Sequence, residues 1–181
     1  MARLPKTTNR QSQMKKNSFF YYILIIFTVA STFVGCNRKT VFAQYAHTPI
    51  NGWERNDTLN FMFKPSESIP LHGVKDSILN FQECVELRIN SSYPFRSLYL
   101  VVEQTILPAG IKKSYSLPCF LVNKRGLFNG RGVNFYQYHF HLTDMRLHRD
   151  DSVSIRIRHN MKREILPGIS DIGIRIEKKT E

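Results

Sequence analysis

Residues 155–178 read IRIRHNMKREILPGISDIGIRIEK. At each end an apolar residue recurs at every second position. Ile155 and Ile157 alternate with Arg156 and Arg158, and Ile172, Ile174 and Ile176 alternate with Gly173, Arg175 and Glu177. Successive side chains of a strand point to opposite faces, so each run presents one apolar face and one polar face. The same period recurs upstream. Val153 extends the first run, and Tyr136, Tyr138, Phe140 and Leu142 alternate with Gln137, His139 and His141. Leu98, Leu100 and Val102 form another such run, as do Val85, Leu87 and Ile89, and Leu59, Phe61 and Phe63. A weaker strand lies at residues 115–122, where Pro118 demotes it to a sheet edge. Short strands with one apolar face each, split by turn residues, predict an all-β chain folded as a single antiparallel β-sandwich, jelly-roll or Ig-like. Residues 65–73 form the longest expected loop and residues 123–132 the most glycine-rich one.

The N-terminal part is different in kind. Residues 19–34, FFYYILIIFTVASTFV, are apolar or small, with Lys15 and Lys16 before them and Arg3, Lys6 and Arg10 further back. A basic region leading into an apolar core describes a secretory signal peptide, and Met14 offers an alternative start. The run is at the short edge of the ~20 residues that a spanning helix needs, so an uncleaved signal anchor is the competing reading. Cys36 favours cleavage. FVGC resembles the lipobox of bacterial lipoproteins, although Phe33 stands where leucine is usual. The resemblance implies a cysteine acylated on its sulfur, released as residue one, and acylated again on its amine. Each buried methylene contributes about 0.8 kcal/mol, so two or three chains hold a protein at a membrane. Asn37-Arg38-Lys39 lacks the acidic cluster of a surface-export tag. The expected location is therefore the cell envelope, lipid-anchored at the outer membrane and facing the periplasm. The expected organisation is a lipoprotein signal peptide over 1–35, a lipidated cysteine and tether over 36–52, and the sandwich domain over 53–181.

The net charge of +12 overstates the basicity of the mature chain. Five basic residues and no acids lie in residues 1–36, which leaves 21 basic against 14 acidic residues, or +7. That field favours anionic partners, among them lipid headgroups, acidic glycans and acidic protein faces. No basic run has the density of a nucleic-acid arm, and no nucleic acid is expected. Cys84 and Cys119 are not spaced for zinc, and their spacing leaves a disulfide open.

His139 and His141 put two imidazoles on one strand face, a spacing that metal sites use. A third ligand would have to come from His159, Asp144 or elsewhere, and a solvated polar face outweighs a metal site. Arg156 and Arg158 lie near Lys162 and Arg163 and could grip an anionic partner through bidentate contacts. The competing reading is a face kept charged against edge pairing. In GLFNGRG, residues 126–132, Phe128 either enters the core or joins Arg131 in contacting a partner. A strand follows this loop where a phosphate cradle would lead into a helix. No serine stands in a nucleophile elbow, and Asp150-Asp151 reads as a turn, so no enzyme is expected. The one cofactor-like group expected is the covalent lipid on Cys36.

LRINSSYPFRSLYLVVE at 87–103, GLFNGRG at 126–132 and the block at 155–178, together with Cys36, resemble the GldH family, gliding motility lipoproteins of Bacteroidetes. The resemblance spans nearly the whole mature chain. It implies a membrane-anchored accessory of the gliding and associated secretion apparatus that works through contacts with envelope proteins. It brings no catalytic residue set. The alternative is a membrane-tethered carbohydrate-binding module using Trp53, Phe128, Tyr136 and Tyr138.

Overall fold

A computed structural model of the chain describes residues 39–68 and 78–179. The expected signal peptide and Cys36 lie outside them. The described chain is nearly all strand: β1 (Thr40–His47), β2 (Trp53–Glu54), β3 (Leu59–Phe63), β4 (Leu79–Asn90), β5 (Ser97–Leu107), β6 (Ile111–Phe120), β7 (Arg131–Gly132), β8 (Phe135–Leu147), β9 (Ser152–His159), β10 (Ile165–Leu166) and β11 (Ile169–Lys178). One helical turn, α1 (Pro65–Ser68), follows β3.

Five strands form one sheet in the order β1-β11-β4-β8-β7, and four form a second in the order β3-β9-β5-β6. β2 and β10 make a separate two-stranded ribbon. Every pairing is antiparallel. The long strands, counted along the chain, run 1-8-3-6 in one sheet and 2-7-4-5 in the other. That order is the jelly roll, which resolves the expected pair of sandwich types.

The alternation read from the sequence builds the core. Ile172, Ile174 and Ile176 of β11 and Val85, Leu87 and Ile89 of β4 face Val153, Ile155 and Ile157 of β9 and Leu98, Leu100 and Val102 of β5, all essentially fully buried. Burying such a side chain contributes about 1.5–3 kcal/mol, so these four strands are the main source of apolar stabilisation. Phe63 bridges two layers of this core, with its ring 5.3 Å from Phe81 and 5.5 Å from Phe42.

Several strands run beyond the alternation read from the sequence, among them β4, β5 and β8. β8 continues five residues past Leu142, because a bulge opposite Glu83 and Cys84 inserts one extra residue and resets the alternation. Tyr138 is buried before it, and Met145 and Leu147 after it. The strand at 115–122 is indeed at an edge, as the outer strand β6 of the four-stranded sheet.

The tether expected over 36–52 is corrected. Residues 40–47 within it form β1, which pairs with β11 along seven positions. Val41, Phe42 and Ala46 pack partly buried against the core. A register shift between Thr40 and Phe42 blurs the alternation, and this edge strand is polar on its exposed side, so no clean period marks it.

Candidate functional site: a polar cleft on the five-stranded sheet

The outward positions of the five-stranded sheet form rows of cross-strand neighbours. In one row His47 of β1 opposes Asp171 of β11, Asp171 opposes Arg88 of β4, Arg88 opposes Gln137 of β8, and Gln137 opposes Arg131 of β7. The next row runs Tyr45, Gly173, Glu86, His139 across the same strands. Directly opposed residues have Cβ atoms about 4.5–5.5 Å apart, so each row is a contiguous line of interacting groups.

Gly173 shapes this surface. A Cβ there would come within 2.5 Å of Tyr45 Cδ1, so the tyrosine ring lies across the glycine backbone. Glu86 beside it is only 2% exposed, although it points away from the core. Its Oε1 accepts a hydrogen bond from a His139 ring nitrogen at 2.7 Å if that nitrogen is protonated, and lies 2.8 Å from Arg175 Nε. Gln137 Nε2 donates to Glu86 Oε2 at 3.4 Å. Asp171, also buried, is held by His47 and by the Ser170 hydroxyl at 2.7 Å, with Arg88 Nη1 at 3.9 Å. The Arg88 guanidinium sits 4.8 Å from the centre of the Phe135 ring.

These groups enclose a cleft of about 470 Å³ lined by Tyr45, His47, Glu86, Arg88, Arg131, Phe135, Gln137 and Asp171 among others. A second depression of about 640 Å³ adjoins it and shares Glu86, Arg131 and Gln137. The two buried carboxylates hold their neighbours in place, and two guanidiniums, an amide and two half-exposed rings can recognise a polar ligand by hydrogen bonding and by ring stacking.

The candidates from the sequence are spread over the molecule. Arg131 lines the cleft. Arg156 and Arg158 lie on the outward face of the other sheet, because Val153, Ile155 and Ile157 of the same strand face the core. Arg156 Nη1 is 3.9 Å from Glu103. Lys162 and Arg163 are exposed in the segment after β9. Phe128 is partly buried and stacks on Tyr136, with centroids 4.1 Å apart, while its neighbour Leu127 is exposed. The loop before β7 is closed by Asn123, whose Oδ1 accepts from the amides of Arg125 and Leu127.

His139 and His141 do share the outward face, but each meets a carboxylate: Glu86 for the first and, at 3.2 Å, Asp144 for the second. Hydrogen bonds from Lys179 and His141 hold the Asp144 carboxyl below its usual range. His159, weighed as a third ligand, is buried on the core side, edge-on to Trp53 with centroids 5.2 Å apart. Burial lowers its pKa. Among the described residues no group of three or more His, Cys, Asp or Glu is placed to hold a metal ion. The rings expected for glycan stacking do not form a surface. Trp53 is 0% exposed, and buried Tyr138 donates its hydroxyl to the Leu121 carbonyl at 3.0 Å.

The sequence reading passed over most of the cleft. Tyr45, His47 and Asp171 reach it only through pairing of the two ends of the chain, and Glu86 looks like any outward strand residue. The usable signal was Gly173, a glycine inside an otherwise branched strand, which marks a close approach from a neighbour.

Residues 40–176 match the model of the GldH lipoprotein family. The gliding motility lipoprotein GldH of Flavobacterium johnsoniae is 28% identical over 162 residues, which cover 86% of this chain and 95% of that protein. The GldH homolog of Christiangramia forsetii is 25% identical over 170 residues, covering 89% of this chain and 97% of its own length. Among solved structures, a CocE/NonD family hydrolase of Staphylococcus aureus aligns with 78% of this chain and 33% of its own at 8% identity. The TM-score of that alignment is 0.38. With the family model spanning β1 to β11, the chain belongs to the GldH lipoprotein family.

Proposed function

We propose that this protein is a non-enzymatic accessory of a gliding motility and associated secretion apparatus, anchored by lipid on Cys36 to the periplasmic face of the outer membrane and acting through contacts with envelope proteins. The observation that carries this reading is the match to gliding motility lipoproteins, which covers 86% of this chain and 95% of the Flavobacterium johnsoniae protein. Only Asn37-Arg38-Lys39 separate Cys36 from β1, so acylation would tether a folded strand rather than a long linker. The proposed contact surface is the outward face of the four-stranded sheet. There Arg156 and Arg158 share one strand side, and Tyr99 and Met62 are exposed. Guanidiniums beside exposed apolar side chains are the composition of an interface centre.

The test is crosslinking in intact cells, then affinity purification of tagged wild-type protein beside a Cys36→Ala control, with mass spectrometry of what is recovered. Envelope motility or secretion components should come with wild type and not with the control. An acylated, folded preparation that recovers no specific protein would overturn the reading.

A further inference from the structure

The cleft on the five-stranded sheet calls for a ligand of its own. It lies on the face opposite the proposed protein contact surface, so the two readings stand or fall separately. At about 470 Å³ it falls within the size range of small-ligand sites, roughly 300–1,000 Å³.

Its walls and floor differ in chemistry. Two rings stand beside it, Tyr45 at 45% exposure and Phe135 at 44%. Both are backed: Tyr45 by the bare backbone of Gly173, Phe135 by the Arg88 guanidinium. Between them run hydrogen-bonding groups already held in place by their own partners. Asp171 is fixed by His47 and Ser170, and Glu86 by His139 and Arg175. A polar floor that needs no reordering costs little entropy when it binds.

The site does not suit a peptide. Strand addition would use an open backbone edge, at β1 or β7, whereas the cleft lies on the face of the sheet, over the doubly paired strand β4. A docked helix requires a continuous apolar groove, whereas this floor is charged and amidic. A ring of hydroxyls with C–H faces fits both the exposed Gln137 amide and His47 imidazole and the flanking aromatics.

Charge narrows the class further. Glu86 is balanced by Arg175, and Asp171 faces Arg88 and His47. Arg131 pairs with no carboxylate among the described residues, and Arg88 reaches Asp171 only at 3.9 Å. These two guanidiniums flank Gln137 in one row, two strands and so about 10 Å apart. Planar guanidinium forks match carboxylate and phosphate alike, and the carboxylate is the anion a sugar bears directly on its own carbon. We infer that this cleft is a saccharide-binding site selective for carboxylate-bearing oligosaccharides.

The test is calorimetric titration of the purified full-length lipoprotein in detergent with tetragalacturonate and with tetramannuronate. Cellotetraose serves as the neutral control and tetraglutamate as the acidic peptide control. At least one uronate tetramer should bind, more weakly as salt rises. Arg131→Gln should weaken binding roughly tenfold or more. Phe135→Ser should weaken it too, while Tyr99→Ser on the opposite sheet leaves it unchanged. Thermal melts of each variant separate lost binding from lost folding, and Phe135→Ser carries the test if Arg131→Gln melts early. Failure of both uronates, equal binding of cellotetraose or tetraglutamate, or affinity indifferent to both cleft variants would overturn the assignment.

Discussion

At the scale of single residues, the least expected group is Glu83. It lies on the inward side of β4 at 0% exposure and takes a hydrogen bond from Gln104 Nε2 on the facing sheet. Glu83 Oε1 and Gln104 Oε1 are both buried without a partner. A proton on the carboxyl would supply the missing donor. Burial pushes this carboxyl from 4.5 up to about 8, so at neutral pH it is mostly the neutral acid. Between those values the folded chain holds a proton that the unfolded chain has lost. The stabilisation is therefore full below about 4.5 and is lost as pH rises through 8. His159 acts in the opposite direction. Burial lowers its pKa, so its contribution weakens as pH falls through its ordinary range near 6.5, and the Glu83 effect is best read above pH 7. Melting temperature should fall from pH 7 to 9 in wild type. In Glu83→Gln most of that fall should vanish, leaving only the smaller fall toward pH 9 that Cys84 and Cys119 contribute because burial raises both thiols, and the melting temperature should lie higher at pH 8 by roughly 4 °C or more. An unchanged slope in the variant would show that Glu83 is not the titrating group.

Cys84 and Cys119 form no bridge; both are buried thiols, on strands of different sheets. Burial pushes the first up to about 11 and the second up to about 12. Neither should react with a thiol reagent at pH 8 before unfolding. In denaturant, the mature lipoprotein should then titrate two thiols if Cys36 carries its acyl chain. A third would count against acylation.

At the scale of elements, the pairing of β1 with β11 rests on a packing detail, Tyr45 lying across Gly173. A side chain at 173 must displace that ring, and the Gln44 carbonyl at 3.0 Å leaves little other room. Gly173→Val should cost about 1–3 kcal/mol in urea unfolding, the usual range for overpacking. Combined with Tyr45→Ala it should cost less than the sum of the two single changes, because the clash partner is gone. Strict additivity would mean that the ring does not occupy that position in solution. The short reading of β8 belongs to this scale as well. A period-two pattern stops being visible where a bulge changes its phase, although the hydrogen-bonded ladder continues to Leu147.

At the scale of the whole molecule, the two sheets present outward faces of different character. Arg156→Asp with Arg158→Asp should leave the melting temperature nearly unchanged, since both side chains point away from the core. It should reduce recovery of crosslinked envelope partners and leave uronate binding intact. Recovery equal to wild type would remove the four-stranded face as the contact surface. The reverse pattern, with partners kept and uronate lost, is the expectation for Arg131→Gln.

Much of this was legible in the linear chain. Period-two burial needs only neighbouring residues, so the class of fold, most strand cores and the outward placement of Arg156, Arg158, His139 and His141 could be read directly. The family resemblance, too, lies in residue order. What tertiary structure alone decided are relations between residues distant in sequence. β1 became a strand because it covers the edge of β11, which the chain reaches only some 120 residues later. Tyr45, Glu86, Arg88, Arg131 and Asp171 meet in one cleft because the strand order brings four strands distant in sequence into one sheet. Local pattern reports which face a side chain takes, and only long-range pairing decides which side chains share it.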